Sequence, residues 1–257
     1  MASSTSITIQ NTLDWLTAFI LQRPTIGIGN SPGGLEPALT TANMVMQMIL
    51  QPPFVWSWNR TVLTTAFTTS AGVSDYSVSL PTYGFLENAT LVNANATGQT
   101  PPNTPLEIFS ILAKEGKQNK PNKIAVILDD DNGNITFRVF PVPDAIYTVD
   151  LDFQRAPVLA TALGATTWAP IPDRLAFLYE RAMMAQLMLM YNSQLYMQNI
   201  ELFFRQLVSA AEGLTETQKA IFLALTSAPG MAGEKSDLSK PSWSRTMAFV
   251  VGTNCMN

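Results

Sequence analysis

The chain has no histidine and one cysteine, Cys255, close to its end. Without histidine a Ser-His-Asp arrangement cannot be assembled, and acid–base or metal chemistry would have to rest on carboxylates alone. A single cysteine excludes an internal disulfide and suits synthesis in a reducing compartment. Charge is scarce: 13% of residues are charged, the net charge is −4 and the pI is near 4.8. Such a chain lacks the clustered Lys and Arg that displace counterions from a nucleic-acid backbone, so sequence-independent nucleic-acid binding is not expected. No run of eighteen apolar residues occurs. The most apolar stretch, RLAFLYERAMMAQLMLMY, is broken by Arg181 and Gln186, and no membrane span is expected. The opening MASSTSITIQ has neither a basic n-region nor an apolar h-region, so no secretory signal is read there. The four N-x-[ST] sequons, at Asn59, Asn88, Asn95 and Asn134, are read as chance in a chain rich in Asn and Thr.

What is present is 47% hydrophobic residues and abundant Thr, Ser, Asn and Gln, enough for a sizeable core and a surface of uncharged polar groups. Such a surface suits a subunit in lasting contact with others. NTLDWLTAFILQ (residues 11–22) places Leu13, Leu16, Phe19 and Ile20 on one helical stripe, ended by Arg23-Pro24. LEPALTTANMVMQMILQ gives a second amphipathic helix, stopped by Pro52-Pro53. From Phe54 to Phe153 the period changes to two. FVWSWNRTVLTTAFTTSAG is Thr- and aromatic-rich as strands are, and YSVSLP, FLENATLVN, KIAVIL, ITFRVF and IYTVDLDF follow, with LEIFSILAKEG ambiguous between helix and strand. Asn132-Gly133 marks a tight hairpin turn. ITFRVF puts Thr136, Arg138 and Phe140 on one face. In IYTVDLDF, Tyr147, Val149, Leu151 and Phe153 face the core, and Thr148, Asp150 and Asp152 face water. From Pro172 to Gly213 the helical period returns, over two helices or one long helix weakened near Asn192-Ser193; Thr215 and Gln218 fit a capping box for a short helix after it.

The expected fold class is α+β. A helical bundle is made by N- and C-terminal helices, with an inserted antiparallel β domain and an extended C-terminal arm. The expected divisions are residues 1–53 for an N-terminal helical pair and 54–157 for the β domain. Residues 158–227 would hold C-terminal helices packing with that pair, and 228–257 the arm.

The chemical motifs are weak. Gly29-Asn30-Ser31-Pro32-Gly33 satisfies G-x-S-x-G, but Pro32 lacks the N–H an oxyanion hole needs after the nucleophile. The same glycines lack the lysine and preceding strand of a phosphate loop. Asp129 to Asn134 resembles a calcium loop until counted: Asn134 and Phe140 stand where Gly and Glu are required, leaving a solvated turn or a weakly held cation. Lys114, Lys117, Lys120 and Lys123 form the one basic concentration, without aromatic residues between them for base stacking. Met44, Met46, Met48, Met183, Met184, Met188 and Met190 read as core filling or as an adaptable surface between subunits. Asp150 and Asp152 share a side, read as the wet face of a strand near Arg138 across a hairpin. Catalytic, cofactor-binding and metal-binding residues are expected to be none.

FRVFPVPDAIYTVDLDFQRAP resembles a pattern of tailed-bacteriophage connector proteins: a strand, P-x-PD, a strand with an aromatic and YT, and a Q-R ending. Pro141 and Pro143 halt the ladder, and Asp144 is placed to close an Asx-type turn. Three further blocks match in order: FVWSWNRTVLTTAFTTSAGVSDYSVSLPTYGFLENATLV, KPNKIAVILDDDNG and TTWAPIPDRLAFLYERAMMAQLM. The resemblance runs from about Leu13 to Gly213 and is to head-to-tail adaptors similar to podovirus tail tubular protein A. It implies a virion structural protein at the neck, forming a ring that is commonly dodecameric. In such rings helices grip the portal protein, the β domain faces a downstream tail or nozzle protein, and double-stranded DNA passes through the lumen unbound. It carries no catalytic residue, cofactor or membrane contact. The longer C-terminal arm would bring Trp243, Met247 and Phe249 as anchors for a portal groove. The alternatives are another virion module (tail-tube, collar or minor head protein) and a carboxylate-dependent glycan-cleaving tail enzyme using Asp150 and Asp152.

Overall fold

The computed structural model describes residues 5–16, 18, 37–92, 103–110, 116–130, 132–162, 164, 166–191 and 193–226. The chain divides into two units: Met1–Trp58 with Pro157–Asn257, and Asn59–Ala156. The class is α+β, with a β domain inserted into a helical unit. The arm expected at 228–257 and the glycine-rich stretch at 29–33 lie outside the described residues.

The helical unit starts with α1 (Ile9–Trp15), capped by the Thr8 hydroxyl, which accepts from the Asn11 N–H at 3.1 Å. Helix α2 (Pro37–Leu50) has proline at its first position, where no N–H is needed. It buries Ala38, Ala42, Val45, Met46 and Ile49, the i, i+4, i+7, i+8, i+11 stripe of a core-facing helix. Beyond it the sequence pattern misleads. Phe54 to Trp58, expected as strand, forms turns and packs into the helical core. Trp56 is buried with its indole N–H on the Ile49 carbonyl at 2.8 Å, and Phe54 lies 6.3 Å from Phe222. Aromatic content mimicked β propensity there; the tryptophans serve a helix end.

After a 3₁₀ turn (Asp173–Leu175) come α3 (Ala176–Tyr191), α4 (Ser193–Ala210) and α5 (Glu216–Thr226). Thus the long helical stretch is two helices, bridged by Arg181 Nη1 donating to Asn199 Oδ1 at 3.1 Å. Helix α3 is apolar on most of its circumference and buries Leu178, Tyr179, Ala182, Met183, Ala185 and Leu187, as a central helix does. The capping box forms: Gln218 Oε1 accepts from the Thr215 N–H at 2.9 Å, and Thr215 Oγ1 accepts from the Gln218 N–H at 3.3 Å.

The inserted unit is a sandwich of two four-stranded sheets. The first runs β1 (Arg60–Thr68), β8 (Thr148–Arg155), β3 (Tyr83–Val92), β4 (Thr104–Pro105). The second runs β2 (Asp75–Ser79), β7 (Asn134–Phe140), β6 (Lys123–Asp129), β5 (Glu107–Phe109). All pairs are antiparallel except β5 with β6, and the ambiguous LEIF stretch is therefore strand over Glu107–Phe109. Leu91, Val149 and Leu151 from one sheet meet Ile124, Ile135, Phe137 and Val139 from the other in one dry layer.

Strands β7 and β8 do not form the hairpin their order suggests. They lie in different sheets. Pro141 and Pro143 offer no N–H to continue the ladder, so the chain crosses between layers, and Val142 and Pro143 are buried in the crossing. Thr69 receives it: its N–H donates to the Tyr147 carbonyl at 2.8 Å, and its hydroxyl accepts from the Tyr147 N–H at 2.8 Å. The Asx turn expected at Asp144 is replaced by a side-chain contact, with Tyr147 Oη donating to Asp144 Oδ1 at 2.8 Å. Burial first, then the hydrogen bond to Asp144 and its charge, raises the Tyr147 phenol above its ordinary value.

Candidate assembly surfaces

The short sequence blocks that suggested a family prove to be joints of the fold. Asp75 of the DY pair takes a two-pronged contact from Arg138, Nε to Oδ1 at 2.7 Å and Nη2 to Oδ2 at 3.0 Å, between register partners of β2 and β7. Leu80-Pro81 meets Asn132-Gly133, with the Leu80 N–H on the Gly133 carbonyl at 2.6 Å. Gly84 lets β3 approach the end of β8, because a Cβ there would fall 2.8 Å from the Ala156 nitrogen. Glu87 collects Arg60 from β1 and the Gln154 amide from β8, so one carboxylate ties three strands. In the helical unit Asp173, the last residue of PIPD, accepts from the Ser6 hydroxyl at 2.7 Å, the Ser6 N–H at 2.9 Å and the Ile7 N–H at 3.4 Å. The Ser6 hydroxyl, then the Ser6 N–H, hold its carboxyl below the ordinary value.

The acidic residues that might have served chemistry are engaged in architecture. Asp150 accepts the Thr65 N–H at 2.7 Å and Asp152 accepts from Asn88 Nδ2 at 3.4 Å. Neither lies by Arg138, which sits in the other sheet; that expected neighbourhood is corrected. Asp130 organises its own turn. One carboxylate oxygen takes the N–H groups of Asn132 and Asn134, both at 2.9 Å, and the other takes Asn134 Nδ2 at 2.7 Å. The Asn134 amide, ahead of the backbone donors, lowers its pKa. A carboxylate so surrounded by donors is a turn clamp. Among the described residues no group of three or more His, Cys, Asp or Glu is placed to hold a metal ion, and no helix is long and apolar enough to cross a membrane.

The methionines divide. Met46, Met183 and Met188 are buried, Met48 and Met184 partly so, and Met44 is 44% exposed. Trp243, Met247 and Phe249 lie outside the described residues, as do Lys114 and Asp131.

What the sequence did not single out are the two outward faces of the sandwich. On the first sheet, register aligns Val62 of β1 with Asp152 of β8 and Asn88 of β3, and Asp150 with Thr90. Val62, on the edge strand of this face, is 62% exposed. On the second sheet, Lys123 stands opposite both Glu107 and Phe140, and its ammonium lies 4.6 Å from the centre of the exposed Phe109 ring. A Cβ on Gly116 would meet the Phe140 ring at 3.0 Å, which brings the exposed Lys117 to this face, whereas Lys120 Nζ donates to Thr104 Oγ1 of β4, in the first sheet, at 3.1 Å. These residues are scattered over ninety positions and form no linear motif; only pairing of the strands brings them together.

The blocks that lock this sandwich and helical unit belong to a class of phage structural adaptors, proteins that join others. The family model described as SU10 adaptor protein matches residues 35–223, most of the chain, and the chain belongs to that family. No curated protein matches it significantly.

Proposed function

We propose that the chain is a head-to-tail adaptor, similar to podovirus tail tubular protein A. It forms a ring, dodecameric in this reading, between the portal protein and a downstream tail or nozzle protein. Double-stranded DNA passes through the lumen without specific contacts, and the chain turns over no substrate. The observation that carries this reading is the adaptor-family match across residues 35–223, which takes in α2, the whole sandwich, α3, α4 and most of α5. The net charge of −4 supports a lumen along which DNA slides, since an acidic wall holds no phosphates. Residues 228–257 would act as an arm, with Trp243, Met247 and Phe249 seated in a groove of the portal.

Electron cryo-microscopy of assembled particles, and of the purified chain mixed with portal protein, tests this directly. Rings of the chain at the capsid–tail junction are expected. A subunit found along a tail tube, in a collar or inside the head would reassign it to another virion module. A chain that stays monomeric with portal present would overturn the ring. Truncation after Thr226 should leave the fold intact and weaken portal binding; unchanged binding would remove the arm from the account.

A further inference from the structure

A closed ring built from one kind of subunit needs two different faces on each copy that complement each other. The sandwich carries two such faces on opposite sides. The outer face of the first sheet is acidic: Glu87, Asp150 and Asp152 stand against Arg60 alone. The outer face of the second is balanced within its strands, Asp75 and Glu107 against Arg138 and Lys123, and the segment before β6 then adds the exposed Lys117. Each face also exposes apolar side chains amid its charges, Val62 on the acidic side and Phe109 and Leu128 on the basic side.

We infer that neighbouring copies of this chain pack sandwich to sandwich, the acidic Val62 face of one against the basic Phe109–Lys117–Lys123 face of the next. The inference rests on the ring reading and adds which surfaces meet. Two acidic faces repel, and so do two basic ones, which disfavours a two-fold pair and leaves the head-to-tail contact that a ring requires. The exposed apolar residues supply contact area, and the charges beside them set the register.

The test uses the sign of a charge. Val62 is mostly exposed, so both Val62→Lys and Val62→Glu should fold with wild-type melting behaviour. Sedimentation velocity on the full chain, with portal protein added, then measures the concentration at which half of it is assembled. Val62→Lys sets a cation against the basic face and should raise that concentration about tenfold or more, whereas Val62→Glu should raise it far less. Asp152→Lys and Lys117→Glu should each weaken assembly and, mixed as two proteins or combined in one, restore part of it. Rings that form equally well with Lys or Glu at position 62 and show no rescue would overturn the pairing of faces and leave the ring reading standing. Absence of rings from the wild-type chain would overturn both.

Discussion

The Asp150 carboxylate on β8 accepts a 2.7 Å hydrogen bond from the backbone N–H of Thr65 on β1, and Thr65 sits at φ +57°. A β-branched residue in the left-handed region is strained, and it occurs inside the irregularity that shifts the β1–β8 register between Leu63 and Phe67. The carboxylate offsets that strain by holding an N–H inside the irregularity. Asp150→Ala should therefore cost about 1 kcal/mol, and Asp150→Asn, which keeps an acceptor, much less. Thr65→Asn, better suited to positive φ, should stabilise by about 0.5 kcal/mol. Urea denaturation of the three variants checks this; an Asp150→Ala variant as stable as wild type would remove the clamp from the account.

Two glycines permit contacts that a methyl group would block. At Gly84 a Cβ would lie 2.8 Å from the Gln154 carbonyl oxygen and from the Ala156 nitrogen; at Gly133, where φ is +85°, it would lie 2.6 Å from Pro81 Cα. Alanine at either position should lower stability by about 1–3 kcal/mol, with Gly133 suffering backbone strain as well. Gly164, whose Cβ would meet nothing within 4 Å, provides the comparison and should tolerate alanine.

Trp168 is the centre of the helical core. Its ring stacks on Tyr179 at 4.5 Å and 8°, and its indole N–H donates to Thr12 Oγ1 at 2.9 Å in a buried site. Trp168→Ala should cost about 3–5 kcal/mol, from the cavity and the stranded hydroxyl together. Trp168→Phe keeps most of the stack and should cost about half as much. Near-ultraviolet circular dichroism during thermal melting would report both.

The Asp173 clip should come undone in acid. Its carboxyl is held below the ordinary value of 3.8 by the Ser6 donors, so its contribution is complete above that value and is lost as pH falls through the lower folded pKa. Protection of the Ile7 and Ile9 amides, taken relative to their intrinsic exchange rate at each pH, should fall below pH 3.8 in the wild type. In Asp173→Asn the same amides should be less protected already at neutral pH, with little further loss of protection on acidification. Equal exchange in both proteins at neutral pH would argue against the clip.

Much of this architecture was legible because local chemistry announces itself. Alternation in IYTVDLDF named Val149, Leu151 and Phe153 as core, Asn132-Gly133 named a turn, and Thr215 with Gln218 named a cap. What alternation cannot convey is which strand lies beside which. Period two says that a side chain points inward, not which sheet it belongs to, and so β7 and β8 looked like partners until the prolines were seen carrying the chain from one layer to the other. Arg138 accordingly answers to Asp75, sixty-three positions away, and not to Asp150. The outward faces were invisible for the same reason, since Val62, Asp152, Phe109 and Lys123 become neighbours only through pairing. The recognisable words of the sequence were those that fold it.

The strands of the insertion begin and end at one hydrogen-bonded seam: Arg155 donates its N–H to the Asn59 carbonyl at 3.2 Å, and Asn59 Nδ2 donates to the Arg155 carbonyl at 2.9 Å. Departure and return thus share a doorway. A β module attached in this way is a cassette, exchangeable for another of different outline while the chain resumes its helices from the place it left them. Sequence can then diversify within the inserted sheets without rebuilding the helical unit.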